Sequence, residues 1–198
     1  MQRRGDYSVA LPLNTITAYG VRRTHEAVLR LVDDLTDEQM KAQSSPVSPS
    51  IAFHVWHVAR WADLLQSRMP GMTAELAERL GEGDQIWASE RLAKAWGFAG
   101  FDLGGDATGM GMDDDASAKL PLPAKERLLD YACRVFEAAN RAVDAADEEQ
   151  LRENCTDLYG RQTSVGAAVL GHLAHVNRHL GMIEALRGAR GLRGTATV

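Results

Sequence analysis

The sequence predicts an all-α fold, a four-helix bundle with one long crossover connection, and three observations carry that prediction. Apolar residues recur at helical spacing over four stretches of roughly twenty residues each. No run of alternating β-branched residues bounded by turn signals competes with them. A glycine-rich stretch between the second and third long stretches is too long for a tight turn and supplies the crossover.

The first helix is expected from Asn14 or Thr15 to about Asp34, with Val21, Val28, Leu29 and Val32 on its apolar stripe. Thr36 followed by Gln39 reads as a capped single turn. The Pro- and Ser-rich SSPVSPS is a connection, after which Ser50 or Ser48 caps a second helix from about Ile51 to Arg68. A short helix is placed over Asp84 to Trp96. GFAGFDLGGDATGMGMDDDASAKLPLP follows as an irregular loop, kept ordered by Phe98, Phe101, Met110 and Met112 and expected to lie over a site. Pro123 opens the third long helix, which carries Leu128, Leu129, Ala132, Val135, Phe136 and Ala139 on one face. ENCTDLYGRQTS turns the chain, and Thr163 or Ser164 caps a last helix that runs to Arg187 and stops at Gly188. The reading is one domain over 1–198, with its core at about 14–188 and a flexible tail at 189–198.

At 198 residues and 45% hydrophobic composition, the chain is long enough to bury a full core. The opening MQRRGDYSVALPLN has no apolar run of signal-peptide length, and no segment is apolar enough to span a bilayer, so a cytoplasmic location is expected. Cys133 and Cys155 read as free thiols, with Cys133 buried. A net charge of -5 and the absence of a basic cluster argue against nucleic acid or an anionic membrane as partner. Arg187, Arg190 and Arg193 read as part of a solubilising or frayed end.

The chemistry is carried by histidine. Three of the six fall in GHLAHVNRHLG, where His172, His175 and His179 project from nearly the same side of a helix. Burying an unpartnered imidazole costs about 1–3 kcal/mol, so a cluster points to a shared partner such as a metal ion. His175 and His179, at i and i+4, are the favoured pair, and a histidine from a facing helix would complete a three-nitrogen site. HVNRH lacks the glutamate of HExxH, which disfavours a zinc peptidase. The second helix offers His54 and His57, and spacing does not choose between them. Trp56 and Trp61 flank them as an apolar shell or as packing aromatics.

SIAFHVWHVARW, then GGDATGMG, then HLAHVNRHLGMIEALRG resemble the DinB-like (DinB/YfiT-type) superfamily of four-helix metalloproteins, over about Asn14 to Gly188. That superfamily is similar to the bacillithiol and mycothiol S-transferases, the mycothiol-dependent maleylpyruvate isomerases and the N-terminal bundle of ergothioneine-type sulfoxide synthases. The resemblance implies metal ligands at His57, His175 and His179, with His54 as a supporting or core residue. Many members read HRGQ at the last ligand where this chain reads HLGM, so the hydrogen-bond network beside it must differ.

It further implies a divalent ion, zinc or nickel first and iron or cobalt next. The implied activity is a metal-dependent transferase in which the thiolate of a low-molecular-weight thiol attacks an electrophile. Arg60 is either solvated or a contact for an anionic substrate group, and Asp63 and Glu184 are candidate partners of the ligands. A metal-binding, stress-related bundle without catalysis and a metal-dependent hydrolase are the alternatives. The expected partners are a small thiol and an electrophilic substrate, with a homodimer formed through Leu and Val of the first helix.

Overall fold

The computed structural model describes residues 11–195. The expectations for the opening segment and for positions 196–198 of the tail lie outside them. The chain is mostly helical: α1 (Leu13–Val32), α2 (Asp37–Met40), α3 (Ile51–Arg68), a 3-10 turn (Met69–Gly71), α4 (Ala74–Leu80), α5 (Ile86–Ser89), α6 (Leu92–Ala95), α7 (Asp114–Ala118), α8 (Lys125–Asp144), α9 (Glu148–Arg152) and α10 (Val165–Ala189). The long helices α1, α3, α8 and α10 each pack on two of the others, α3 between α8 and α10, and α1 across from it between the same two.

Local chemistry explains the helix starts. The Ser50 hydroxyl accepts from Phe53 N at 3.1 Å and opens α3 at Ile51. Ser164 does the same for Ala167 N at the start of α10. Thr36 and Gln39 form the expected reciprocal box on α2.

Several expectations are corrected. The segment 84–96 is two single turns rather than one helix, because Arg91 adopts a left-handed φ of 53° between them. A short helix at 74–80, capped by Thr73, adds to the predicted elements, as do α7 inside the glycine-rich stretch and α9. ENCTDLYGRQTS is more than a turn: β1 (Asn154–Thr156) and β2 (Gln162–Ser164) pair antiparallel, Cys155 opposite Thr163. Each strand is three residues long, too short for an alternating pattern to register. Gly188 lies inside α10, and the left-handed residue beyond the helix is Gly191, φ 71°.

The tail is not frayed at its start. Arg187 is buried, bridging Asp34 of the α1 end at 2.7 Å and donating to the carbonyls of Leu31 and Arg193, while Thr195 N donates to Glu184. Cys133 is only half-buried and Cys155 is buried, and both are free thiols.

The core is centred on α3, whose residues 51–65 are all buried. Ile51, Val55, Val58, Ala62 and Leu65, at helical spacing, are inside, and so is everything between, because the glycine-rich loop covers the side that α8 and α10 leave open. Among the described residues no helix is long and apolar enough to cross a membrane.

Candidate metal centre

Capping of α3 and α10 sets the angular phase of their histidines, and the contact between the two helices brings them together. His57 Nε2 lies 3.0 Å from His175 Nε2, and His179 Nε2 lies 3.1 Å from the same atom. One ring nitrogen from each of the three histidines falls within 4.8 Å of the others, a group that could hold a metal ion. His57 and His179 are buried and His175 is half-buried.

Burial disfavours the imidazolium form. It drives the pKa of His57 down to about 3, aided by His175, and that of His175 to about 4, aided by Arg178. His179 falls to about 2, with His57 and His175 adding to its desolvation. The rings are therefore neutral and present lone pairs.

The tautomer of His57 is fixed. Its Nδ1 is 2.6 Å from the Thr108 carbonyl, which only accepts, so Nδ1 carries the hydrogen and Nε2 is a bare lone pair. Nitrogens bound about 2.0–2.1 Å from a common ion stand about 2.9–3.4 Å apart. The observed 3.0 and 3.1 Å fall in that range, and the donor set suits a divalent transition ion.

Thr108 reaches His57 because the glycine-rich loop folds back tightly. Gly105 N donates to the Met110 carbonyl, and Gly109 N donates to the Leu103 carbonyl at 2.7 Å. At Gly109, φ is +88°, and a Cβ would stand 2.8 Å from Trp56 Cζ3 and 3.0 Å from His57 Nδ1. Only glycine fits there.

The family model of the DinB superfamily matches residues 21–183, most of the chain and all three histidines. This chain belongs to the DinB superfamily. Its fold is similar to that of a conserved protein from Enterococcus faecalis, with a TM-score of 0.67 at 18% identity, covering 90% of this chain and 96% of that one. A DinB-like protein from Bacillus cereus gives a TM-score of 0.55 at 16% identity, with 88% and 91% covered. No curated protein matches.

Two further histidines of this DinB-superfamily chain face each other elsewhere. His25 Nε2 is 2.9 Å from His172 Nε2, and His25 Nδ1 is 2.9 Å from Asn140 Oδ1. His172 thus points its Nε2 at α1, away from the cluster. His54 sits beside the cluster, with its Nδ1 2.9 Å from His179 Nδ1. With His179 Nε2 turned to the cluster, that contact has His179 Nδ1–H donating to His54.

Arg60 departs from both roles expected of it: in the DinB-superfamily fold it is neither solvated nor open to substrate, being wholly buried. Its Nη1 donates to Asp63 at 2.9 Å and to Tyr131 Oη at 3.0 Å, its Nη2 to Gln85 and the Asp106 carbonyl, and its Nε to the Ala107 carbonyl. All five guanidinium hydrogens are matched. Asp63 in turn accepts from the backbone N–H of Ile86 and Trp87 and touches no histidine, and Glu184 serves the tail. Asp106 and Ala107, which Arg60 grips, both hold left-handed φ of 50° and 52° immediately before Thr108. The density of glycine in GGDATGMG is the one legible signal that backbone approaches this site closely.

Proposed function

We propose that this chain, as a four-helix bundle with a crossover loop, is a metal-dependent transferase acting with a low-molecular-weight thiol. In this reading His57, His175 and His179 are the metal ligands. The observation that carries it is three neutral imidazoles converging in the lining of a cavity of about 740 Å³. A divalent ion held there, zinc or nickel first and iron or cobalt next, would favour a thiolate over its thiol at neutral pH.

The chain's own residues supply the rest. Phe53, Trp61, Met110, Met112, Met182 and Leu186 give the cavity an apolar wall that shelters a reactive sulfur and receives the carbon of an electrophile. Sulfur bonds to that carbon as the carbon's bond to its leaving group breaks, the leaving group departing with the bonding pair. The proton given up by the thiol goes to water or to that leaving group. Arg178, exposed in the lining and adjacent to His179, is the cation available to an anionic group, a part that buried Arg60 cannot play. Free Cys133 and Cys155 suit a cytoplasmic, reducing setting. A homodimer would use the exposed Leu13, Ile16 and Tyr19 of α1, since Val21, Val28 and Val32 are inside; sedimentation of the Ile16→Glu protein tests this.

Metal analysis of untagged protein, followed by an assay of thiol conjugation to an electrophile, tests the function. Stoichiometric metal, with loss of both metal and conjugation in His57→Ala, supports it. Metal without thiol-dependent turnover overturns it in favour of a non-catalytic metal-binding bundle, and hydrolysis without added thiol favours a hydrolase.

A further inference from the structure

Metal-ligating histidines almost always give their second ring N–H to an acceptor, which fixes the tautomer and orients the ring. His57 gives its own to Thr108 and His179 faces His54, but His175 Nδ1 is buried with no protein partner among the described residues. Two other buried nitrogens share that condition nearby, Trp61 Nε1 and His172 Nδ1. Trp61, His172 and His175 all line one small cavity of about 30 Å³, together with Asp157, Leu158 and Tyr159 of the β1–β2 turn. A cavity needs about 10–15 Å³ to hold one water, so this one has room for a water and none for an organic ligand.

Neighbouring groups dictate where the hydrogens of the three orphans lie. Asn140 Oδ1 only accepts, so His25 Nδ1 is protonated and His25 Nε2 is a lone pair. His172 must therefore donate from Nε2 across the 2.9 Å contact, which leaves His172 Nδ1 as an acceptor. Trp61 Nε1 is a donor in every state. His175, with Nε2 turned to the cluster, carries its hydrogen on Nδ1. The residues lining the cavity thus carry two unpartnered donors and one unpartnered acceptor, a set that one water satisfies by accepting twice and donating once.

We propose that this cavity is a binding site for one buried water that takes N–H from His175 and Trp61 and donates to His172. It joins the cluster to a chain running His175, water, His172, His25 and Asn140, from α10 through α1 to α8. His172 and Trp61 are then positioning residues, holding the His175 ring with Nε2 toward the site. The assignment of the His175 hydrogen rests on its proposed part as a ligand; the Trp61 and His172 hydrogens do not.

A high-resolution crystal structure of the zinc-loaded full chain should show a water within about 2.7–3.2 Å of all three nitrogens. A dry cavity, or rings turned so that these nitrogens meet protein groups, overturns the proposal. Long-range ¹⁵N–¹H spectra of the histidine rings should show His172 protonated at Nε2 and His175 at Nδ1; the opposite tautomer at His172 overturns it. His172→Phe removes the acceptor and should weaken zinc binding roughly 10–100-fold in chelator competition. Unchanged affinity in a folded variant overturns the positioning role, and if the variant fails to fold, the wild-type crystal and spectra decide. A chain that holds the water but takes no zinc defeats the metal reading and keeps the water site. One that takes zinc over a dry cavity defeats the water alone.

Discussion

At the scale of the residue, the site depends on a backbone carbonyl being delivered to one imidazole. Thr108 can reach His57 only because its neighbour Gly109 has no side chain and a left-handed φ. Gly109→Ala would push a methyl against Trp56 and His57 in a conformation that L-residues disfavour, so it should destabilise the protein by about 1–3 kcal/mol. It should also weaken metal binding, because the loop must retreat and His57 loses its acceptor. Isothermal titration with zinc on the folded variant would refute this if its affinity equalled that of the unsubstituted chain. His175 and His179 are legible from sequence as an i, i+4 pair. His57 is not separable from His54 by spacing, since a helix buried on every side shows no polar face against which to phase its residues. Only the resemblance points to His57, and the geometry agrees in bringing its Nε2 to the pair while His54 meets His179 from the other ring nitrogen.

At the scale of the element, the glycine-rich loop behaves as part of α3. The Arg60 guanidinium, one turn from His57, ties the carbonyls of Asp106 and Ala107 to a buried carboxylate, a phenol and an amide. Removing one partner of a buried ion pair strands the other charge at a cost of about 3–5 kcal/mol. Arg60→Met should therefore lower stability by about that amount and free the loop, so that metal affinity falls with it. Urea denaturation that registers a loss below about 1 kcal/mol, the usual worth of an exposed pair, would show that the clamp does not act as described. Sequence alone could not foresee this role. An arginine and an aspartate three apart on a helix are ordinarily a solvated pair, and nothing local announces that a loop some forty residues away will close over them.

At the scale of the whole molecule, the fold keeps its imidazoles in places that refuse protons. His25, stacked on Phe136, has its pKa lowered by burial to about 4, its hydrogen bond to Asn140 opposing only in part. His54 is lowered to about 4 as well. Unfolded, each histidine titrates near its ordinary value of about 6.5. Below that pH the unfolded chain binds protons that the folded one does not, so stability is greatest above about 6.5 and declines as pH falls toward 4. The slope is about 1.4 kcal/mol per pH unit for each imidazole that stays neutral. Metal-free protein denatured in urea at about pH 7, 6 and 5 should show this decline, and a flat profile across that window would contradict it.

By itself the sequence determined the long helices, the starts of two of them to within two residues (Ser48 or Ser50, Thr163 or Ser164), and the presence of histidines at helical spacing on the last of them. These features are local, since caps and 3.6-residue periodicity act within one or two turns of chain. Tertiary structure alone decided which ring nitrogens converge, that Arg60 is a buried clamp, that Thr108 and His54 meet the Nδ1 atoms of His57 and His179, and that a hairpin lines a small cavity beside His175. Each of those depends on distances between segments remote in the chain, and such distances are set by packing and loop closure rather than by any residue's own preference.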